Sequence, residues 1–281
     1  MSAAKSQSDP AMSGAQSHPG LAVGPEGSRA ITRALPEEVP VAITFNGTTL
    51  AVMMATPADI ADFAHGFALT EGAISALADV ESFEIVRQPV GIEARFWIAE
   101  TRAKTLADRR RRMAGPVGCG LCGIDSLDAA LRALPRVTSG LALDPAEIAG
   151  APDALKIHQP LHDRTRAIHA AGFLRPGAGI ALAREDIGRH NALDKLIGAL
   201  ARASADPGTG AAVLTSRVSV EMVQKAAMAG LPAIIAASAP TALARAEAER
   251  AGITLAAFVR DGRFELYAHP ERVLTGETDV A

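Results

Sequence analysis

Residues 211–259 read AAVLTSRVSVEMVQKAAMAGLPAIIAASAPTALARAEAERAGITLAAFV. Two hydrophobic periods alternate along this stretch. Ala211–Thr215 is a short apolar run of strand length, and Val220–Ala229 then carries apolar residues at helical spacing until Gly230 ends it. Pro232–Ala237 is continuously apolar, as a strand buried on both faces is. Thr241–Ala251 reads as a helix stopped by Gly252, and Ile253–Val259 with Arg263–Tyr267 makes a closing hairpin around Asp261-Gly262. Such alternation predicts a three-layer α/β domain.

The pattern extends upstream. Ile180–Ala183 reads as a short strand and Asn191–Arg202 as a helix, joined by the polar run Arg184-Glu185-Asp186-Ile187-Gly188-Arg189-His190-Asn191-Ala192-Leu193-Asp194-Lys195. Backbone N–H groups at a helix start, with Arg189 and His190 beside them, suit a phosphate. The alternative is an ordinary capped helix with surface charges. Thr215-Ser216-Arg217-Val218-Ser219 repeats the arrangement before a helix carrying Glu221 and Lys225, and Ser238-Ala239-Pro240-Thr241 repeats it without an arginine. Parallel strands align such loops on one edge of a sheet, where open α/β sheets bind ligands. Three loops together point to an anionic ligand, a nucleotide or phosphorylated cofactor, with Arg217, Arg260 and Arg263 available to it. His169, alone among apolar residues, reads as a core or supporting group.

The first half has a different texture. Val39–Phe45 and Thr49–Met54 flank Asn46-Gly47 as a hairpin, and Thr56-Pro57-Ala58-Asp59 reads as a helix start with Thr56 as N-cap. Ile60, Phe63, Ala64, Phe67 and Ala68 continue that helix to Gly72, and Phe83–Val86 and Ala94–Ile98 read as strands. This is a smaller α+β unit. Pro135–Pro160 reads as irregular or weakly helical. The expected organisation is a disordered tail over 1–30, an N-terminal α+β domain over 31–135, and an α/β domain over 136–281.

Composition narrows the class. The chain has 281 residues, 48% hydrophobic but only 4% aromatic, so its core is aliphatic. A formal charge of −3 gives no footprint for nucleic acid or an anionic membrane, the run Arg109–Arg112 being the local exception. That run is either a solvated surface segment or an attraction for an acidic or phosphate-bearing partner. The first thirty residues lack the apolar region of a secretory signal, and no stretch has the apolar length of a membrane span. The expectation is a soluble cytoplasmic protein with reduced cysteines.

There are two cysteines, both in Gly118-Cys119-Gly120-Leu121-Cys122-Gly123. The Arg run lies upstream and a helix over about Ser126–Leu134 is expected downstream; both settings lower a thiol pKa. Flanking glycines leave room for a partner sulfur or cofactor. The loop suits persulfide transfer or dithiol–disulfide cycling. Zinc needs four ligands, and His158 and His162 stand far from finger-like spacing, so no metal is expected. Inert buried cysteines are the remaining alternative, and the strand-to-helix context of a thioredoxin motif is half present.

Taken together, these motifs resemble the FdhD family, sulfurtransferases required for formate dehydrogenase activity. The resemblance runs from about Glu37 to Val273 through the Asn46-Gly47 turn, CGLCG, EDIGRHNALDKLIG, SRVSVEMVQKAAMAG, SAPTALA and FVRDGRFELY. It implies a cysteine desulfurase as sulfur donor, bis-molybdopterin guanine dinucleotide with its molybdenum as the bound substrate, and apo-formate dehydrogenase as recipient. It implies Cys119 as the persulfide carrier, Cys122 as its assistant, and Phe258, Val259, Arg260, Asp261, Gly262 and Arg263 as the cofactor-binding stretch. It also implies a homodimer and a cytidine-deaminase-like fold for the larger domain. Deaminase chemistry itself is disfavoured, because the chain has no H-x-E ahead of its CxxC.

The chain departs from the family pattern where Thr165-Arg166-Ala167-Ile168-His169 replaces Thr-Gly-Gly-x-His, and where Thr215-Ser216-Arg217 replaces Ser-Gly-Arg. The functional expectation is sulfur relay to the molybdenum cofactor, with a non-catalytic cofactor-binding chaperone as the alternative. A thiol–disulfide oxidoreductase and a zinc-stabilised module are the further rivals.

Overall fold

The computed structural model describes residues 14–112 and 133–274. Its architecture is mixed α/β, with a six-stranded sheet, a four-stranded sheet and a two-stranded ribbon.

The ribbon pairs β1 (Ala15–Gly24) with β2 (Gly27–Pro36) antiparallel. This corrects the expected tail over 1–30 at residues 15–30. Ala, Ser and Gly dilute the period-two pattern there, but Gly24-Pro25-Glu26-Gly27 supplies the turn that lets the strands pair.

The four-stranded sheet contains β3 (Val39–Phe45), β4 (Thr48–Ala55), β5 (Val80–Gln88) and β6 (Gly91–Ile98) in the order β4-β3-β6-β5. Asn46 and Gly47 have φ of 47° and 77°, the left-handed geometry expected of this hairpin turn. Helix α1 (Ile60–Thr70) covers one face, burying Ile60, Phe63, Ala64, Phe67 and Ala68 as its spacing predicts. Helix α2 (Glu100–Arg112) follows β6, and the Arg109–Arg112 run closes it. The expected Thr56 cap differs from the structure: Asp59, three residues later, is the N-cap, and α1 begins at Ile60. Thr56 is held by another part of the chain, receiving the Ile187 N–H on its hydroxyl at 3.1 Å.

The six-stranded sheet runs β12-β11-β10-β9-β7-β8, using β7 (His169–Arg175), β8 (Gly179–Asp186), β9 (Ala211–Leu214), β10 (Ala233–Ala236), β11 (Thr254–Arg260) and β12 (Arg263–Ala268). The β9, β10 and β11 strands are parallel, and the outer pairings are antiparallel. Alternate residues of each strand enter opposite cores. Ala212, Leu214, Ile234 and Leu255 pack beneath helices α5 (Arg189–Arg202), α6 (Val220–Met228) and α7 (Ala242–Ala251). Ala211, Val213, Ala233, Ile235 and Ala256 pack beneath α3 (Pro145–Lys156). A short helix α4 (Pro160–Thr165) precedes β7.

Two of these elements lack an obvious sequence signal. Helix α3 lies where an irregular segment is expected, yet Asp144 caps it by accepting the Ala146 N–H, Pro145 sits at its start, and Ile148, Ala151 and Leu155 make one buried stripe. Strand β7, His-Ala-Ala-Gly-Phe-Leu-Arg, is poor in strand-forming residues. It is small because α3 crosses close above it: a Cβ on Gly172 would lie 2.7 Å from Leu155 Cδ1.

Helices α1 and α5 join the two sheets backbone to backbone. Gly66 and Gly198 face one another at the crossing, and a Cβ on either would come within 2.8 Å of the other's backbone nitrogen. Ion pairs flank the contact. On one side Asp62 receives Arg184 Nε at 2.7 Å and also pairs with Arg202. On the other, buried Lys225 lies 2.9 Å from Asp194, which also accepts the Thr70 hydroxyl at 2.7 Å. Burial pushes the Asp194 carboxyl up to about 6 against the pull of Lys225.

Candidate functional site

The ends of β9, β10 and β11 come together with the start of β7 and the end of β8. Backbone bonds fix their alignment: Thr215 N–H to Ala170 O at 3.2 Å, Ala237 N–H to Leu214 O at 3.0 Å, and Phe258 N–H to Ser238 O at 3.3 Å. All three loops singled out in the sequence therefore emerge on one sheet edge, with the start of α5 beside them.

This edge gathers cations and hydroxyls. Thr215 accepts the Ala170 N–H at 2.9 Å, and its Oγ1 lies 3.4 Å from His169 Nδ1. Position 169 is thus at the edge and half-buried. His190 Nε2 lies 3.5 Å from Ser219 Oγ and 3.8 Å from Glu221 Oε2. Burial pulls the His190 pKa down to about 4, with the Arg189 and Lys225 charges adding to it and Glu221 opposing. Burial and the Arg189 charge likewise lower that of His169. Both imidazoles are therefore neutral at pH 7. The Arg189 Nε is buried without a hydrogen-bond partner among the described residues.

Arg217 is exposed at the mouth of the first loop, and Arg260, Asp261, Gly262 and Arg263 form the exposed turn of the last hairpin. Asp261 and Gly262 have φ of 52° and 71°, as their Asp-Gly sequence predicts. Phe258 is more unusual, because a bulky residue at φ 52° is strained. It sits at an irregularity in the β11–β12 pairing, where its ring faces Tyr267 at 6.3 Å. Val259 points the other way, into the core beneath α3, and presents only backbone to the edge.

Other members of the polar run turn inward. Asp186 accepts from Thr56 N–H at 3.0 Å, Gly188 N–H at 2.8 Å and Asn191 Nδ2 at 3.0 Å, and pairs with fully buried Lys195 at 2.7 Å. Lys195 also donates to the Thr56 and Glu185 carbonyls, and Asn191 to the Met54 carbonyl. These three side chains clamp the end of β4 to the larger sheet. Thr241 caps α7 by accepting the Ala244 N–H at 3.1 Å, so the ordinary capping role prevails there. Glu221 and Ser219 had no motif signal beyond their place after a strand; the His190 contact needs the tertiary fold.

Cys119, Cys122 and the helix expected over 126–134 lie outside the described residues. A cavity of about 160 Å³ lies away from the edge, between the Asn46 turn and α2, lined by Phe45, Thr49, Glu100 and Lys104. Among the described residues no cluster of His, Cys, Asp and Glu is placed to hold a metal, and no helix is long and apolar enough to cross a membrane.

The fold and site define a mixed α/β protein with a cationic, hydroxyl-bearing sheet edge. Residues 36–274 match the model of the FdhD/NarQ family, and the chain belongs to that family. It is 49% identical over 243 residues to the "Sulfur carrier protein FdhD" of Agrobacterium fabrum, covering 86% of this chain and 90% of that one. The protein of the same name from Brucella abortus is 51% identical over 244 residues, covering 86% and 91%. A crystal structure described as a putative formate dehydrogenase accessory protein from Desulfotalea psychrophila superposes with a TM-score of 0.72 at 25% identity, over 92% of this chain and 99% of that chain.

Proposed function

We propose that this chain is a sulfur carrier for the maturation of formate dehydrogenase. Cys119 takes sulfur from a cysteine desulfurase, and the recipient is the molybdenum of bis-molybdopterin guanine dinucleotide, held as substrate before delivery to the apo-enzyme. In the loading step the Cys119 thiolate attacks the outer sulfur of the donor persulfide. A new S–S bond forms at Cys119, the donor S–S bond breaks, and the donor leaves as its thiolate while the terminal proton stays on the transferred sulfur. Cys122 assists release. The reaction takes place in the cytoplasm.

The observation that carries this reading is family membership across residues 36–274, with the CGLCG pair inside the match. The sheet edge supports the substrate half. Arg189 with its unpartnered Nε, Arg217, Arg260 and Arg263 suit the phosphates of a dinucleotide, and neutral His169 and His190 with Thr215 and Ser219 supply uncharged polar contacts. The Phe258–Arg263 turn lies beside them and lines the same ligand. Helices on both faces of the larger sheet support the cytidine-deaminase-like layering of residues 136–281.

Complementation separates carriage from simple chaperoning. In cells lacking the carrier, the Cys119→Ala variant is expected to leave formate dehydrogenase inactive while its molybdenum content is retained. Full activity with Cys119→Ala and Cys122→Ala together would establish the chaperone instead.

A further inference from the structure

Two features beside the smaller sheet take no part in the sulfur reading: the arginine run, and the cavity under the helix that carries it. Helix α2 holds Arg102, Lys104, Arg109, Arg110, Arg111 and Arg112 against Glu100 and Asp108. Arg102 is engaged within the fold, donating to the Ser75 hydroxyl at 3.2 Å and pairing with Asp79 at 3.2 Å. Lys104 lies 3.9 Å from Glu100. The helix meets the core of the smaller sheet through buried Leu106 and partly buried Ala103.

That contact leaves a gap. The cavity of about 160 Å³ between α2 and the Asn46 turn has Phe45, Leu50, Ala103 and Leu106 as apolar walls. Its size is that of one large side chain, since a cavity of ~150 Å³ accepts a benzene ring. Asn46 needs no hydrogen bond from an occupant: its Nδ2 donates to Ile98 O at 2.9 Å and its Oδ1 accepts the Ile98 N–H at 2.9 Å. Glu100 and Lys104 also line the cavity, with side chains 71% and 73% exposed, so its charged side faces water.

We propose that this cavity and α2 form a docking site for an acidic segment of a partner protein, which inserts one phenylalanine or leucine side chain and lays its carboxylates along the helix. An apolar anchor seated in a pocket, with charged groups around it, is the arrangement of a binding hot spot. The cation excess of α2 selects an acidic occupant and speeds its approach. The cavity selects a protein over a nucleic acid: its walls are apolar and its amide is already spent, whereas a base edge is read by hydrogen bonds. The site lies away from the sheet edge and does not depend on Cys119 carrying sulfur.

Fluorescence anisotropy on the full chain tests the proposal, with a short labelled probe peptide of aspartate and glutamate around one phenylalanine. The probe is expected to bind, and to weaken at least ~10-fold between ~0.01 M and ~0.15 M salt as the Debye length falls. Replacing its phenylalanine by serine is expected to cost ~10- to 100-fold, the worth of one buried aromatic anchor. Ala103→Phe places a ring in the cavity and is expected to weaken the probe by the same ~10- to 100-fold. Arg29→Glu with Arg33→Glu changes exposed cations on the ribbon and is expected to leave binding unaltered. Circular dichroism checks that the variants are folded, and the comparison of the two peptides decides the matter without any variant. A probe that does not bind, a serine peptide that binds as well as the phenylalanine one, or a folded Ala103→Phe chain with wild-type affinity overturns the proposal. An oligothymidylate that competes with the probe and binds more tightly overturns it too, and assigns α2 to nucleic acid.

Discussion

Gly198→Ala tests the joint between the two sheets, and elementary helix physics predicts the wrong sign for it. Alanine replaces glycine inside a 14-residue helix, which by propensity alone stabilises by about 1 kcal/mol. At this position the new Cβ overlaps the Asp62 carbonyl oxygen, lies 2.7 Å from the Asp62 carbonyl carbon and lies 2.8 Å from Gly66 N. All three atoms are backbone, so no rotamer change relieves the clash. The helices must separate by on the order of 1 Å, which forfeits a quarter to a half of the dispersion energy of the contacts that open. The Asp62–Arg202 ion pair and the Thr70–Asp194 hydrogen bond span the same crossing and stretch with it. Overpacking of this kind costs about 3 kcal/mol, leaving a net loss of about 2 kcal/mol after the propensity gain. Urea denaturation measures it, with Gly150→Ala as the control: Gly150 lies in α3 with open space around its Cβ position, and its replacement is expected to stabilise. If Gly198→Ala stabilised the chain as Gly150→Ala does, the backbone-to-backbone crossing would be refuted.

Four other outcomes follow from named contacts. Lys195→Met leaves the Asp186 carboxylate buried without its cation and is expected to cost about 3–5 kcal/mol in the same denaturation assay. The lowered His190 pKa means that the unfolded chain holds a proton that the folded chain releases between pH ~6.5 and about 4. Stability is then complete above pH ~6.5 and falls by up to about 3 kcal/mol towards pH 4, and His190→Gln is expected to flatten that slope. Arg166 has φ 59° at the end of α4, so Arg166→Gly is expected to raise stability by about 0.5–1 kcal/mol, read as a higher melting temperature. Arg217 is exposed on the sheet edge, and Arg217→Ala is expected to weaken binding of guanosine diphosphate, as a probe, by ~10- to 100-fold without changing the urea midpoint.

Much of the larger sheet was legible because its strands and helices carry unmixed periods. Ala211–Leu214, Ala233–Ala236 and the Asp261-Gly262 hairpin fall where the apolar runs and turn residues put them. The same order places the three hydroxyl-bearing loops on one edge. What stayed hidden depends on partners distant in sequence. Asp186, Asn191 and Lys195 look like surface charge beside a helix start, yet they are buried because Met54–Thr56 offers them backbone groups 130 or more residues away. Gly66 and Gly198 look like weak points in two helices, and only their mutual contact explains them. Val259 belongs to the core although Arg260 beside it faces solvent, because the irregularity at Phe258 breaks the strand alternation and returns Val259 to the face of Ala256, under α3. Strand β7 was hidden for a related reason: close packing against α3 selects small residues, which erases the strand signal.

The central claim is that Cys119 carries sulfur. Intact-mass analysis, after incubation with a cysteine desulfurase and cysteine, tests it most directly. The account predicts the added mass of one sulfur on the wild type, sensitive to reductant, mapped to the Cys119 peptide and absent from Cys119→Ala. An unmodified Cys119, under conditions in which the desulfurase itself is charged, would contradict it.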